Sequence, residues 1–310
     1  MGLAAISIDL DSLYCYHRLY GLPEDTNDNL VYETGLERFV GLLDELGLKG
    51  TLFAVGRDLD LGDNKRVLAH LAARGYEVAN HSYSHDYRLT RLSDEAIRQD
   101  LKRGKESLEA AIGREVVGFR APGYNINEPV LRALEETGHR YDTSLFPCTP
   151  YYLTKATVLT AMKLSGQSSH SILGAPQVLS TPRGPYRPDL AKPWRRGTSS
   201  LIELPISTTP VLRLPALGSF LVLLGERFLS AFFAMLKSDQ PLIVVEFHGM
   251  DFLDGKGDGL NPALLKQPDV AVSWDKKQAL FKRFLSALTE NCEVVTCATA
   301  AARAAQRLAP

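Results

Sequence analysis

Several things are scarce in this chain, and each shortage removes a class of function. Four cysteines stand among 310 residues, at positions 15, 148, 292 and 297, and their spacing makes neither a zinc ribbon nor a thioredoxin-type pair. Free thiols are therefore expected, and Cys15 is the one to watch because it follows an acidic strand end closely. There is no dense basic run, and the formal net charge is -1, which gives no reason to invoke nucleic acid. The longest uncharged apolar run, Leu214 to Gly225, is too short to span a bilayer. No room for a signal peptide precedes the first strand, so a cytosolic protein, or one on the cytosolic side of a membrane, is expected. No internal repeat or low-complexity segment is present. What remains is an ordinary soluble composition, 45% hydrophobic and 23% charged, of a size for one large domain or two small ones.

The order of elements favours one domain. Strand-like runs at Ala5–Asp11, Gly50–Val55, Glu77–Asn80, Val116–Ala121, Arg140–Phe146, Leu201–Ile206, Leu242–Phe247 and Glu293–Cys297 alternate with amphipathic helical stretches. The helices are expected at Glu33–Leu46, Asn64–Arg74, Ser93–Ile112, Pro129–Thr137, Tyr151–Leu164 and Lys276–Leu288, with a helical tail. Leu13 to Asn29 reads as a loop, because Gly21, Pro23 and Asn/Asp clusters interrupt it. Strand followed by helix, repeated seven or eight times, predicts a distorted parallel α/β barrel, with an insertion at about 147–200 after the fifth strand.

Chemistry-bearing residues gather where such barrels carry their sites. Alternation in the first strand puts Ile6, Ile8 and Leu10 on one face and Ser7, Asp9 and Asp11 on the other. Two carboxylates side by side with no basic neighbour repel each other unless something positive lies beside them. His81 and His85, four residues apart, are expected to face the same way on one helical turn. A divalent cation held by Asp11, His81 and His85 meets the need and leaves Asp9 free. Arg120, Asp142 and His248 also fall at or near the ends of predicted strands. For Arg120 and Asp142 the alternative is a buried ion pair bracing the barrel, and for His248 a satisfied core histidine.

Five short motifs, in order and over nearly the whole chain, resemble those of the polysaccharide deacetylases, the NodB-homology carbohydrate esterases. They are Ser7-Ile8-Asp9-Leu10-Asp11, His81-Ser82-Tyr83-Ser84-His85, Arg120-Ala121-Pro122-Gly123-Tyr124, Tyr141-Asp142-Thr143-Ser144-Leu145-Phe146 and Glu246-Phe247-His248. The third carries an extra glycine, the fourth lacks the usual tryptophan, and Glu246 replaces the usual leucine of the fifth. The resemblance implies a metal-dependent hydrolase that removes an N-acyl group, acetyl or formyl, from an amino sugar. It assigns the metal to Asp11, His81 and His85, with zinc as default and cobalt, nickel, manganese or iron as alternatives. Asp9 becomes the base, aimed by Arg120. A backbone N–H near Gly123 or Tyr124 becomes the oxyanion donor, and His248, kept charged by Asp142, becomes the acid.

Two other readings of the same fold stay open: a metal-free cyclic-amide hydrolase, as in allantoinase-like relatives, and a non-catalytic carbohydrate-binding barrel. The full Asp-His-His set disfavours the first, and the presence of base, ligands and acid disfavours the second. Relatives implied by the resemblance include a cytosolic-face enzyme that deformylates an amino sugar on a polyprenyl phosphate. That precedent would give the basic stretch Tyr186–Arg196 a phosphate to hold, and the apolar Val211–Leu236 segment a bilayer or prenyl chain to meet. Otherwise the first is a solvated loop and the second a packed helix.

Overall fold

The computed structural model describes residues 2–25, 28–166 and 171–308. Among these residues, eight parallel strands form one curled sheet: β1 (Gly2–Asp9), β2 (Thr51–Ala54), β3 (Glu77–Asn80), β4 (Gly118–Phe119), β5 (Tyr141–Asp142), β6 (Ile202–Glu203), β7 (Leu242–His248) and β8 (Cys292–Val295). Their order is β6-β5-β4-β3-β2-β1-β7, and β8 pairs with the first half of β1. Beyond β6 the chain turns toward β7, where Ser207 N donates to Val244 O at 3.1 Å and Ser207 Oγ accepts from Val244 N at 2.9 Å. The result is the distorted (β/α) barrel expected from the sequence.

Alternation along β1 explains both layers. Ala4, Ile6 and Ile8 pack outward with Phe39 and Leu43, whereas Leu3 and Ala5 share an inner cluster with Phe53, Ala79, Tyr141 and Val244. The helices are α1 (Leu13–Tyr20), α2 (Glu37–Glu45), α3 (Asn64–Ala73), α4 (Asp94–Ile112), α5 (Glu128–Glu136), α6 (Thr149–Leu164), α7 (Gly218–Leu224), α8 (Leu229–Leu236), α9 (Trp274–Asn291) and α10 (Cys297–Arg307). The longest, α4, begins where the sequence signals it: Ser93 Oγ accepts from Ala96 N at 3.3 Å, and Gly113 ends it at φ 66°. Cys297, Ala300, Ala301 and Ala304 of α10 complete the inner cluster.

Three expectations need correction. Leu13–Tyr20 is helix rather than loop, because Leu13, Tyr14, Cys15 and Tyr16 bury their side chains and the breaker residues begin only at Gly21, φ 65°. Cys15 lies in that buried face, and burial together with nearby Asp11 pushes its thiol well above the usual range, so it is an inert packing residue. The apolar segment is two helices, α7 and α8, bent by 95° about Gly225, and among the described residues no single helix is long and apolar enough to cross a membrane. Leu229, Phe232, Phe233 and Leu236 of α8 join the outer core, while Leu223, Phe228 and Met235 are exposed. Within the insertion, residues 167–170 lie outside the described residues.

Candidate active site

Strand register brings the acidic and basic groups together at the carboxyl ends of the strands. The β1–β7 ladder sets Ser7 beside Glu246 and Asp9 beside His248. The β3–β4 pair sets Asn80 beside Phe119, so the next residues, His81 and Arg120, are neighbours. His81 Nδ1 lies 2.8 Å from Arg120 O. A carbonyl only accepts, so the proton sits on Nδ1 and the Nε2 lone pair faces the cleft. That lone pair is 3.1 Å from Asp11 Oδ1, and His85 Nε2 is 3.1 Å from the same oxygen. Asp11 Oδ1 and His85 Nε2 are buried without a hydrogen-bond partner. Acceptors held this close in a dry site need a cation between them. The ligand atoms of Asp11, His81 and His85 lie within 4.8 Å of one another, so the donor set fits a small divalent ion.

The histidine pair reaches this arrangement without a helix. His81 to His85 form a tight loop after β3, with Ser82 and His85 in the left-handed region at φ 64° and 51°. The spacing was read correctly and the backbone was not. Asp100 of α4 fixes the loop by accepting from Tyr83 N and Ser84 N, each at 3.1 Å, and Ser82 Oγ accepts from His85 N at 2.9 Å. α4 comes this close because Gly104 has no side chain; a Cβ there would lie 2.5 Å from Asn80 Oδ1.

Asp9 shows one oxygen to each side. Oδ1 accepts from Arg120 Nη1 at 2.5 Å, and Oδ2 is 3.7 Å from His81 Nε2. Arg120 is fully buried, also donates to Ser7 Oγ and Thr143 O, and stacks on Phe53. Burial alone would lower its pKa, but Asp9 and Glu246 beside it keep it firmly protonated. Glu246, whose role the sequence left open, is fully buried 3.5 Å from Arg120 and 3.8 Å from His248, and it accepts from Tyr124 OH at 3.0 Å. Burial and the Asp9 charge push its carboxyl up to about 8, partly offset by Arg120. His248 is pushed up to about 9; burial opposes this, and Glu246 and Asp9 outweigh it.

The structure places Asp142 away from His248. The β5–β6 register sets it beside Glu203, and its Oδ1 accepts from Ser144 Oγ at 2.5 Å. His248 hangs from β7, where Asp251 Oδ2 accepts from its backbone N–H at 2.8 Å and the Glu246 carboxyl lies 3.8 Å from its Nε2. Nor is the Tyr124 N–H open to a substrate oxygen. Gly123 and Tyr124 both turn left-handed, at φ 66° and 64°, and fold that N–H onto Ala121 O at 3.0 Å. It is the Tyr124 phenol that enters the site, 3.3 Å from His248 Nε2.

Asp142 and Glu203 form a buried pair of carboxyls, and burial raises both, Asp142 to about 6 and Glu203 well above its usual value. An acid whose folded pKa is raised is stabilising below its unfolded pKa, and that stability is lost as pH rises through the folded value. Glu203→Gln keeps the acceptor for Leu145 N and removes one charge. It is expected to raise stability at pH 8 by on the order of 1 kcal/mol and to change little at pH 4, read as thermal midpoints at both pH values.

A family model described as polysaccharide deacetylase matches residues 26–141. Over those residues the chain is similar to the polysaccharide deacetylase family. The match takes in His81, His85 and Arg120, and the fold brings Asp9, Asp11 and His248 to them from outside it. A peptidoglycan deacetylase-like protein of Gibberella zeae is 29% identical over 167 residues, 50% of this chain and 48% of that protein. A peptidoglycan-N-acetylglucosamine deacetylase of Bacillus cereus is 29% identical over 99 residues, 32% of this chain and 45% of that protein. The chain thus spans about half the length of the curated relatives it matches. The crystal structure of a Mycobacterium smegmatis protein described as a polysaccharide deacetylase aligns with a TM-score of 0.62 at 20% identity, over 99% of this chain and 92% of that one, which shows a common fold.

The cleft has two joined compartments. One, of about 290 Å³, holds Asp9, Asp11, His81 and His248. The other, of about 360 Å³, is walled by the insertion, with Tyr152, Gly174 and Trp194 among its lining. Tyr124, Tyr151 and Lys155 border both. The basic stretch does not turn its charges inward: Arg187 donates to Ser199 O and Ser200 O, and Lys192, Arg195 and Arg196 are exposed. Sequence reasoning missed Asp100, Asp251, Lys155 and the Tyr124 phenol. Only the alternation in β7, which turns Glu246 inward with His248, hinted at more.

Proposed function

We propose that this chain is a hydrolase that removes the N-acyl group, acetyl or formyl, from an amino sugar. The observation that carries this reading is the pair of opposed, buried acceptors on Asp11 and the two histidines, beside an Arg-held Asp9 and a charged His248. Asp11, His81 and His85 would hold a divalent ion, zinc by default, which when bound lowers the pKa of water and polarises the acyl oxygen. Asp9 takes the proton from the attacking water on Oδ2, because Arg120 Nη1 occupies Oδ1 and leaves Oδ2 toward the cleft. The Gly123 N–H, on a residue that lines both compartments, would stabilise the developing oxyanion. His248, protonated at neutral pH through Glu246 and Asp9, gives its proton to the departing amine. The Tyr124 phenol, between Glu246 and His248, keeps the acid aimed at the cleft.

Metal analysis with turnover tests the reading. Protein purified without chelator is expected to carry about one divalent ion per chain, by the one-site donor set, and to release acetate from N-acetylglucosamine oligomers. Stripping should abolish release and lower the thermal midpoint, and returning zinc should restore both. Unchanged hydrolysis by metal-free protein would instead favour a cyclic-amide hydrolase.

A further inference from the structure

The charges around the cleft are lopsided. Among the described residues lining either compartment, the acids are Asp9, Asp11, Glu128, Asp251 and Asp269, and Lys155 is the one lysine or arginine. It stands where the compartments meet. Lys155 comes from α6, a helix that buries none of its residues and lies along the cleft. Its Nζ donates to Gly123 O at 3.4 Å and lies 5.4 Å from the Tyr151 ring centre. Among the described residues no carboxylate stands within ion-pair distance of it, and burial, with no opposing charge, brings its pKa down to about 8. An ammonium has three N–H donors, and one long bond to a carbonyl leaves the others aimed into the space between the compartments. A half-buried cation without a counter-ion costs stability, and an incoming anion reverses that cost.

We propose that Lys155 binds an anionic group of the substrate, so that the substrate class is an amino sugar carrying a carboxylate or phosphate close to its N-acyl group. This rests on the hydrolase reading above. The acyl group enters the compartment of Asp9 and His248, and the anion is held at the junction beside Gly123. The remainder of the ligand lies along Trp194 and Tyr152.

Two measurements test the proposal separately from turnover. The chain has two tryptophans, and Trp274 packs on Phe252 away from the cleft, so ligand-dependent fluorescence reports on Trp194. Inorganic phosphate or glucuronate, titrated into the metal-loaded protein, is expected to change the emission of wild type and Lys155→Arg but not of Lys155→Met. Response to phosphate alone marks a phosphorylated sugar, and response to glucuronate marks an acidic one. In the kinetic arm, kcat/KM for an N-acetylglucosamine oligomer carrying that anion is expected to exceed the neutral oligomer's by about tenfold. In Lys155→Met this preference should collapse to about one, since the anion then has no partner.

A response of equal size in Lys155→Met, or none in wild type, overturns the anion site and leaves Lys155 as a brace for the Gly123 turn. Equal kcat/KM on charged and neutral oligomers overturns it too. If no N-acylated sugar is turned over while the Lys155-dependent response persists, the hydrolase reading fails and the anion site stands.

Discussion

Asp9→Asn is expected to lower turnover by about 10²–10⁴-fold, the share usually carried by a general base, while the protein stays folded and keeps its metal. Asparagine matches the carboxylate in shape, and its carbonyl can still accept from Arg120 Nη1, the bond that fixes Asp9. What it loses is the ability to take a proton. Asp11, His81 and His85 would hold the proposed ion without it, so metal content per chain should match wild type. Acetate release, elemental analysis and a thermal melt on one preparation make the comparison. Turnover within threefold of wild type would move the base elsewhere, and Glu246, 3.5 Å from the same Arg120, would be the next candidate.

Arg120→Met should have the largest effect on stability, a loss of about 3–5 kcal/mol, the range for removing one partner of a buried ion pair. The guanidinium is 0% exposed and stands between Asp9 and Glu246. Without it two buried carboxyls face each other, and Ser7 and Thr143 lose a donor. The midpoint should fall on the order of 10 °C in differential scanning calorimetry. Glu246→Gln in the same chain should recover part of the loss, because one of the two facing carboxyls is gone. A fall of under about 2 °C would show that Arg120 is not what neutralises the pair.

The parts of the site that lie on strands were legible, because alternation alone says which side chains face inward. That logic turned Asp9, Asp11, Glu246 and His248 into one interior and put β3 within a residue of His81. It could not say which neighbour each inward residue meets. Asp142 faces Glu203 rather than His248 because of the β5–β6 register, a fact of pairing that no local pattern encodes. The left-handed residues Ser82, His85, Gly123 and Tyr124 were equally hidden, since tertiary contacts from α4 and β5 hold them there. α1 was missed because Gly and Pro follow it closely and its reason to form is burial against the core. Lys155 gave no signal at all, because a helix without a buried face looks like any solvated helix.

The β1–β7 pairing has a consequence for how the molecule is made. Ser7 Oγ donates to Val245 O across 238 positions of chain, and the Asp9–His248 pair spans a similar interval. At about 5–20 residues per second a ribosome needs on the order of tens of seconds to bridge it. Throughout that time β1, with Asp9 at its end, has no partner on its β7 edge and exposes an apolar, unpaired strand. Closing so long a loop makes the last step of folding slow. The acid of the candidate site therefore joins the base late, after most of the chain has left the ribosome.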